Sequence, residues 1–94
     1  MYEGPRGVAR LLYEGQGLSA RTEAGWFRGT VTGVEKGPDG VVPRGELPAP
    51  ELRLVCESGD GRFLVEVMQS GRVRVVEEPM GPAHNVRELR AGLE

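Results

Sequence analysis

For most of its length the chain alternates apolar and polar positions with a period of two. Leu18 and Ala20 alternate with Ser19 and Arg21. Trp26 to Val34 continues the pattern, interrupted by Gly29 and Gly33. Leu52, Leu54 and Cys56 form one apolar set, Phe63, Val65 and Val67 the next, and Val73 and Val75 the last. Successive side chains of a strand point to opposite faces, so each set predicts a strand with one buried face. Short turn signals separate them: Glu23-Ala24-Gly25, Ser58-Gly59-Asp60-Gly61 and Gln69-Ser70-Gly71-Arg72. Asp-Gly between two alternating runs is a strong hairpin signal. Residues 17–77 therefore predict five antiparallel strands, the last three as a meander.

The flanking segments read differently. In residues 6–13, Val8, Leu11 and Leu12 fit one helical face with Pro5 at its start, while Ala9, Leu11 and Tyr13 alternate as in a strand. Both readings stand. Residues 36–50 hold three glycines and four prolines. That proline density excludes a central strand and predicts a long flexible loop, of a kind that often carries function. Pro79 to Pro82 ends the sheet, and Asn85 can cap a short helix in which Val86, Leu89 and Leu93 share a face. The chain divides into an accessory segment (1–16), a barrel (17–77) and a tail with a short helix (78–94).

Composition narrows the picture. Ninety-four residues make one small domain, and Gly 15 with Pro 7 argues for short elements joined by turns, against a helical bundle. One cysteine, Cys56, excludes an internal disulfide, and with the single His84 it cannot complete a structural zinc site. A Cys–His nucleophile pair is disfavoured, because Cys56 lies mid-strand in an apolar run and His84 in the tail. Neither catalytic residues, metal nor cofactor are expected. No apolar run reaches membrane-spanning length and no signal peptide opens the chain, so the expected location is the cytoplasm. Arginine supplies eleven of the twelve basic residues against fourteen acidic ones, with no block of like charge to act as a tail for nucleic acid.

The stretch from Gly17 through Ala20, Gly25, Trp26, Phe27, Arg28 and Gly29 to Val31 resembles the opening of Tudor and Agenet domains. Cys56 to Gly61 looks like the hairpin turn those domains place between their third and fourth strands. The resemblance spans residues 17–77 and implies an all-β, SH3-like small antiparallel barrel with accessory terminal segments. Its methylated-residue ligands sit in an aromatic cage, by cation–π attraction. The corresponding positions here are Thr22, Phe27, Cys56 and Asp60, of which Phe27 alone is aromatic, so that ligand class is not expected. Trp26 to Val31 is also similar to a strand of the plasmid-borne, trimethoprim-resistant dihydrofolate reductases, which are tetramers with a central pore. Their pore-lining Val-Gln-Ile-Tyr is absent, the nearest segment being Arg62-Phe63-Leu64-Val65, which leaves an oligomeric pore enzyme a distant third.

With Phe27, Val31, Leu52, Leu54, Cys56, Phe63, Val65, Val67, Val73 and Val75 inward, the outer face receives Trp26, Val55, Leu64 and Val76. It also receives Arg28, Arg53, Arg62, Arg72 and Arg74, interleaved with Glu57, Glu66 and Glu77. Either the terminal segments cover the apolar part, or it is an interface of the Trp-plus-Arg kind that dominates binding hot spots. The expected function is non-catalytic binding of a protein partner or a second copy. The partner-binding residues expected are Trp26, Phe27, Arg28, Val55, Leu64 and Arg74. Nucleic-acid binding through the same arginines is the alternative.

Overall fold

Each alternating segment forms a strand in the computed structural model, which describes residues 4–37, 49–78 and 81–92. A helix, α1 (Gly4–Leu11), precedes β1 (Gly17–Thr22), β2 (Gly25–Lys36), β3 (Leu52–Ser58), β4 (Gly61–Val67), β5 (Val73–Glu77) and β6 (Ala83–Ala91). Every strand pairs antiparallel with its sequence neighbours, and β6 pairs with β1, closing a six-stranded barrel. The all-β small antiparallel barrel expected from the sequence is thus the fold. Most of the 36–50 loop, and Leu93 of the expected tail helix, lie outside the described residues.

The tail is the main correction. Residues 83–91 form a strand rather than a helix, because that strand satisfies two ladders at once, with β5 and with β1. Without it both would be open edges. Val86 and Leu89 are three apart, a spacing that imitates a helix. They share the inner face because β6 bulges at Arg87: Thr22 pairs with Val86 and Arg21 with Glu88. The same device acts in β2, where Thr32 is the extra residue, so that Val31 and Val34 both pack on the core.

The inner face holds the expected alternating set, joined by Leu18, Ala20 and Leu89. At the end where β3 begins and β4 finishes, the barrel is plugged by buried Ala9 of α1, by buried Leu12 directly after the helix, and by Val8 beside them. This resolves residues 6–13 as helix up to Leu11, with Arg6 and Arg10 both on Glu51 at 3.2 and 3.4 Å. Backbone bonds from Gly15 and to Gln16 then fix the following turn to Val31, at 2.7 and 2.8 Å. No helix among the described residues is long and apolar enough to cross a membrane.

Candidate functional site

The opposite end of the barrel carries no plug among the described residues. Here β1, β3 and β5 finish and β2, β4 and β6 begin, so their terminal inward side chains converge: Thr22, Phe27, Phe63, Glu77 and His84. The two-residue turn after β3 closes with Gly61 at φ 140°, in the region that favours glycine. Phe63 needs Gly29 opposite it. A Cβ at Gly29 would lie 2.9 Å from Phe63 Cε1 and 2.7 Å from the Glu57 carbonyl oxygen.

Phe27 sits between two rings, with centroids 5.7 Å from Phe63 and 5.7 Å from the imidazole of His84, which stacks on it. His84 Nε2 is 2.8 Å from Glu77 Oε2, and its Nδ1 is 3.7 Å from Glu23 Oε1. The imidazole thereby joins β6, β5 and the β1–β2 turn. Beside this floor lies a cavity of about 510 Å³, lined by Trp26, Phe27, Arg28, Asp60, Phe63 and Glu77 among others.

The rim is built on the outer face of β1, β2 and β6. Trp26 is 38% exposed there. The Arg28 guanidinium lies 4.9 Å from its ring centroid and that of Arg90 5.9 Å, within cation–π range. Arg21 is opposite Trp26 in the β1–β2 register. Glu88 accepts from Arg21 Nε at 3.2 Å and from Arg90 Nε. These bonds, that of Arg90 first and that of Arg21 next, hold the Glu88 carboxyl below its ordinary value of 4.5.

Of the expected partner-binding residues, the structure brings Trp26, Phe27 and Arg28 together at this open end. It separates Val55, Leu64 and Arg74 from them, on the convex wall of β3 to β5. Leu64 and Val76 are 3% exposed, so the expected apolar patch is not open. The register sets Leu64 between Val55 and Val76. Neither expected cover is responsible, since α1 plugs the end and the tail is part of the wall. The arginine stripe dissolves as well. Arg53 and Arg74 both bond Glu66, and Arg62 approaches Glu57 at 3.8 Å. Glu77, expected outward with them, turns into the mouth toward His84.

Sequence reasoning missed His84, Glu77 and Glu23 as one group, because a helical tail has no register in which to place His84. It also missed Arg21 and Arg90 for the same reason. Of the positions that correspond to an aromatic cage, Thr22 and Cys56 are buried, while Phe27 and Asp60 line the cavity. The further rings, Trp26 and Phe63, come from other positions. Cys56 and His84 do not meet: the thiol lies 3.8 Å from the Leu54 carbonyl, and burial pushes its pKa up to about 12. Among the described residues, no three His, Cys, Asp or Glu side chains gather to hold a metal ion. Compared with known proteins, the chain gives no significant match to a family model, a curated protein or a solved structure.

Proposed function

We propose that this chain is a non-catalytic binding module, and that a protein partner docks at the open end of the barrel on Trp26, Phe27 and Arg28. One observation carries the reading: a half-exposed tryptophan, within cation–π range of two guanidinium groups, borders a cavity floored by Phe27 and Phe63. Trp and Arg at the edge of an apolar hollow are the composition of energetic hot spots. The Tudor- and Agenet-type resemblance points to the same end, through Phe27 and Asp60. The buried lone thiol of Cys56 suits a reducing compartment, and we place the module in the cytoplasm.

Nucleic acid is the second reading, because Trp26 beside arginines could stack a base and hold a phosphate. It ranks lower, since the carboxylates on Arg53, Arg62 and Arg74 leave no continuous basic track. The test is a photo-crosslinking residue in place of Arg28, compared with one in place of Arg72 at the plugged end. Protein adducts from position 28, absent from position 72, support the module. Nucleic-acid adducts from position 28 favour the second reading, and no position-dependent adduct removes both.

A further inference from the structure

The electrostatics of the rim say more about the partner than its hydrophobicity does. Arg28, Ser19 and Arg90 occupy one outward row across β2, β1 and β6, and Trp26, Arg21 and Glu88 the next. Arg21 and Arg90 thus share the one carboxylate of Glu88, and Arg28 lies over the Trp26 ring beside them. Arg21 and Arg90 give Glu88 only their Nε hydrogens in the bonds described above, and their side chains are 44% and 60% exposed. A guanidinium has five N–H donors in a fixed fork, so the terminal Nη groups of both remain for an incoming anion. Glu88 and the Trp26 ring also restrict these long side chains before any ligand arrives, which lowers the entropy lost on binding.

The positive face is small. The cavity next to it is lined by Asp60 and Glu77 as well as by Trp26 and Arg28. On the far side of the mouth Glu23 approaches His84. A polyanion longer than the three arginines would run into these carboxylates. A short run of anionic groups would not, if it were followed by an apolar side chain that could rest on Trp26 and the Phe27–Phe63 floor.

From this charge complementarity we infer that the partner presents a short acidic segment, Asp- or Glu-rich and interrupted by an apolar residue. Its carboxylates lie on Arg28, Arg21 and Arg90, and its apolar side chain lies in the cavity beside Trp26. The inference rests on the binding-module reading and supplies the chemistry of its partner.

Trp26 is the single tryptophan of the chain and reports directly on its own site. The experiment titrates the protein with the synthetic peptide Asp-Glu-Glu-Leu-Glu-Asp and with its amide counterpart Asn-Gln-Gln-Leu-Gln-Asn, both with blocked termini. The readout is Trp26 emission. The acidic peptide is expected to saturate the signal below about 2 mM at low salt. Its affinity should fall at least about tenfold as salt rises past the screening range. The amide peptide should bind at least about tenfold more weakly, as should the acidic one to Arg28→Glu but not to Arg72→Glu. Circular dichroism verifies that both variants fold.

Equal binding of the two peptides, no saturation by the acidic one, or no effect of Arg28→Glu overturns the inference. So does tighter binding of a single-stranded oligothymidylate than of the peptide at the same salt. If crosslinks from position 28 still capture a protein while the acidic peptide fails, only this chemistry falls. If neither is seen, the module falls with it.

Discussion

Glu66 stands between Arg53 and Arg74, its Oε2 2.7 Å from Arg53 Nε and its Oε1 2.9 Å from Arg74 Nε. Arg53 Nη1 also donates to Glu35 at 3.0 Å, so a ladder of alternating charge crosses β2, β3, β4 and β5. Glu66 is 1% and Arg53 4% exposed. Removing one member of such a buried set leaves the others uncompensated. Glu66→Ala should therefore lower stability by about 3–5 kcal/mol. Replacing Arg53, Glu66 and Arg74 together by Met, Leu and Met should restore most or all of that loss, because desolvation of the charges goes with them. Urea unfolding of the two variants checks both statements.

Gly29→Ala puts a methyl group where the Glu57 carbonyl and the Phe63 ring already lie, at 2.7 and 2.9 Å. The expected cost is about 1–3 kcal/mol, as for other overpacked sites. Adding Phe63→Leu should relieve only part of it, because the carbonyl belongs to the backbone of β3 and cannot turn away. Thermal melts of the single and double variants measure the difference.

Cys56 gives a pH prediction with a definite sign. Its folded pKa of about 12 lies above the ordinary 9.0, so the folded chain retains a proton that the unfolded chain releases. The stabilisation is complete below pH 9 and is lost as pH rises from there toward 12. The urea midpoint of the wild type should fall more steeply over that window than that of Cys56→Ala. At neutral pH a thiol reagent should modify the folded protein only as fast as it opens.

An eight-residue helix has little stability of its own, so α1 depends on what it plugs. Leu12→Ala should cost about 2–5 kcal/mol, the range for truncating a buried leucine. It should also lower the helical circular dichroism signal at temperatures where the strands persist. Leu11→Ala, at a residue 69% exposed, should do neither. Following the two variants by circular dichroism and urea titration separates plugging from propensity.

The five strands between Leu18 and Glu77 were legible because each is a regular run of alternating residues with a turn signal at its end. The inward set from Val31 to Val75 was legible for the same reason. What failed was the arithmetic of faces wherever a strand carries an extra residue. Val86 and Leu89 look helical until Arg87 is seen as a bulge, and no local signal marks it, since the bulge is imposed by pairing with β1. The candidate site was half visible: Trp26, Phe27 and Arg28 follow from β2 alone. Arg21, Arg90 and His84 join them only through β6, a non-local contact that alternation in one strand cannot reveal. Burial of Leu64 and Val76 was equally hidden, because alternation gives the orientation of a side chain and not what lies over it.

The plug also fixes the polarity of the chain. Helix α1 lies at the end of the barrel away from the mouth. There too β6 finishes, where the Gly92 amide reaches Gly17 O and the Ser19 hydroxyl reaches Gly92 O, both at 2.7 Å. The chain thus enters and leaves on the same side. A label, a surface or a neighbouring domain attached before α1 or after β6 would leave Trp26 and the cavity facing outward. Immobilisation through either terminus should therefore be equivalent, and a linker inserted at the turn carrying Asp60 should obstruct the site.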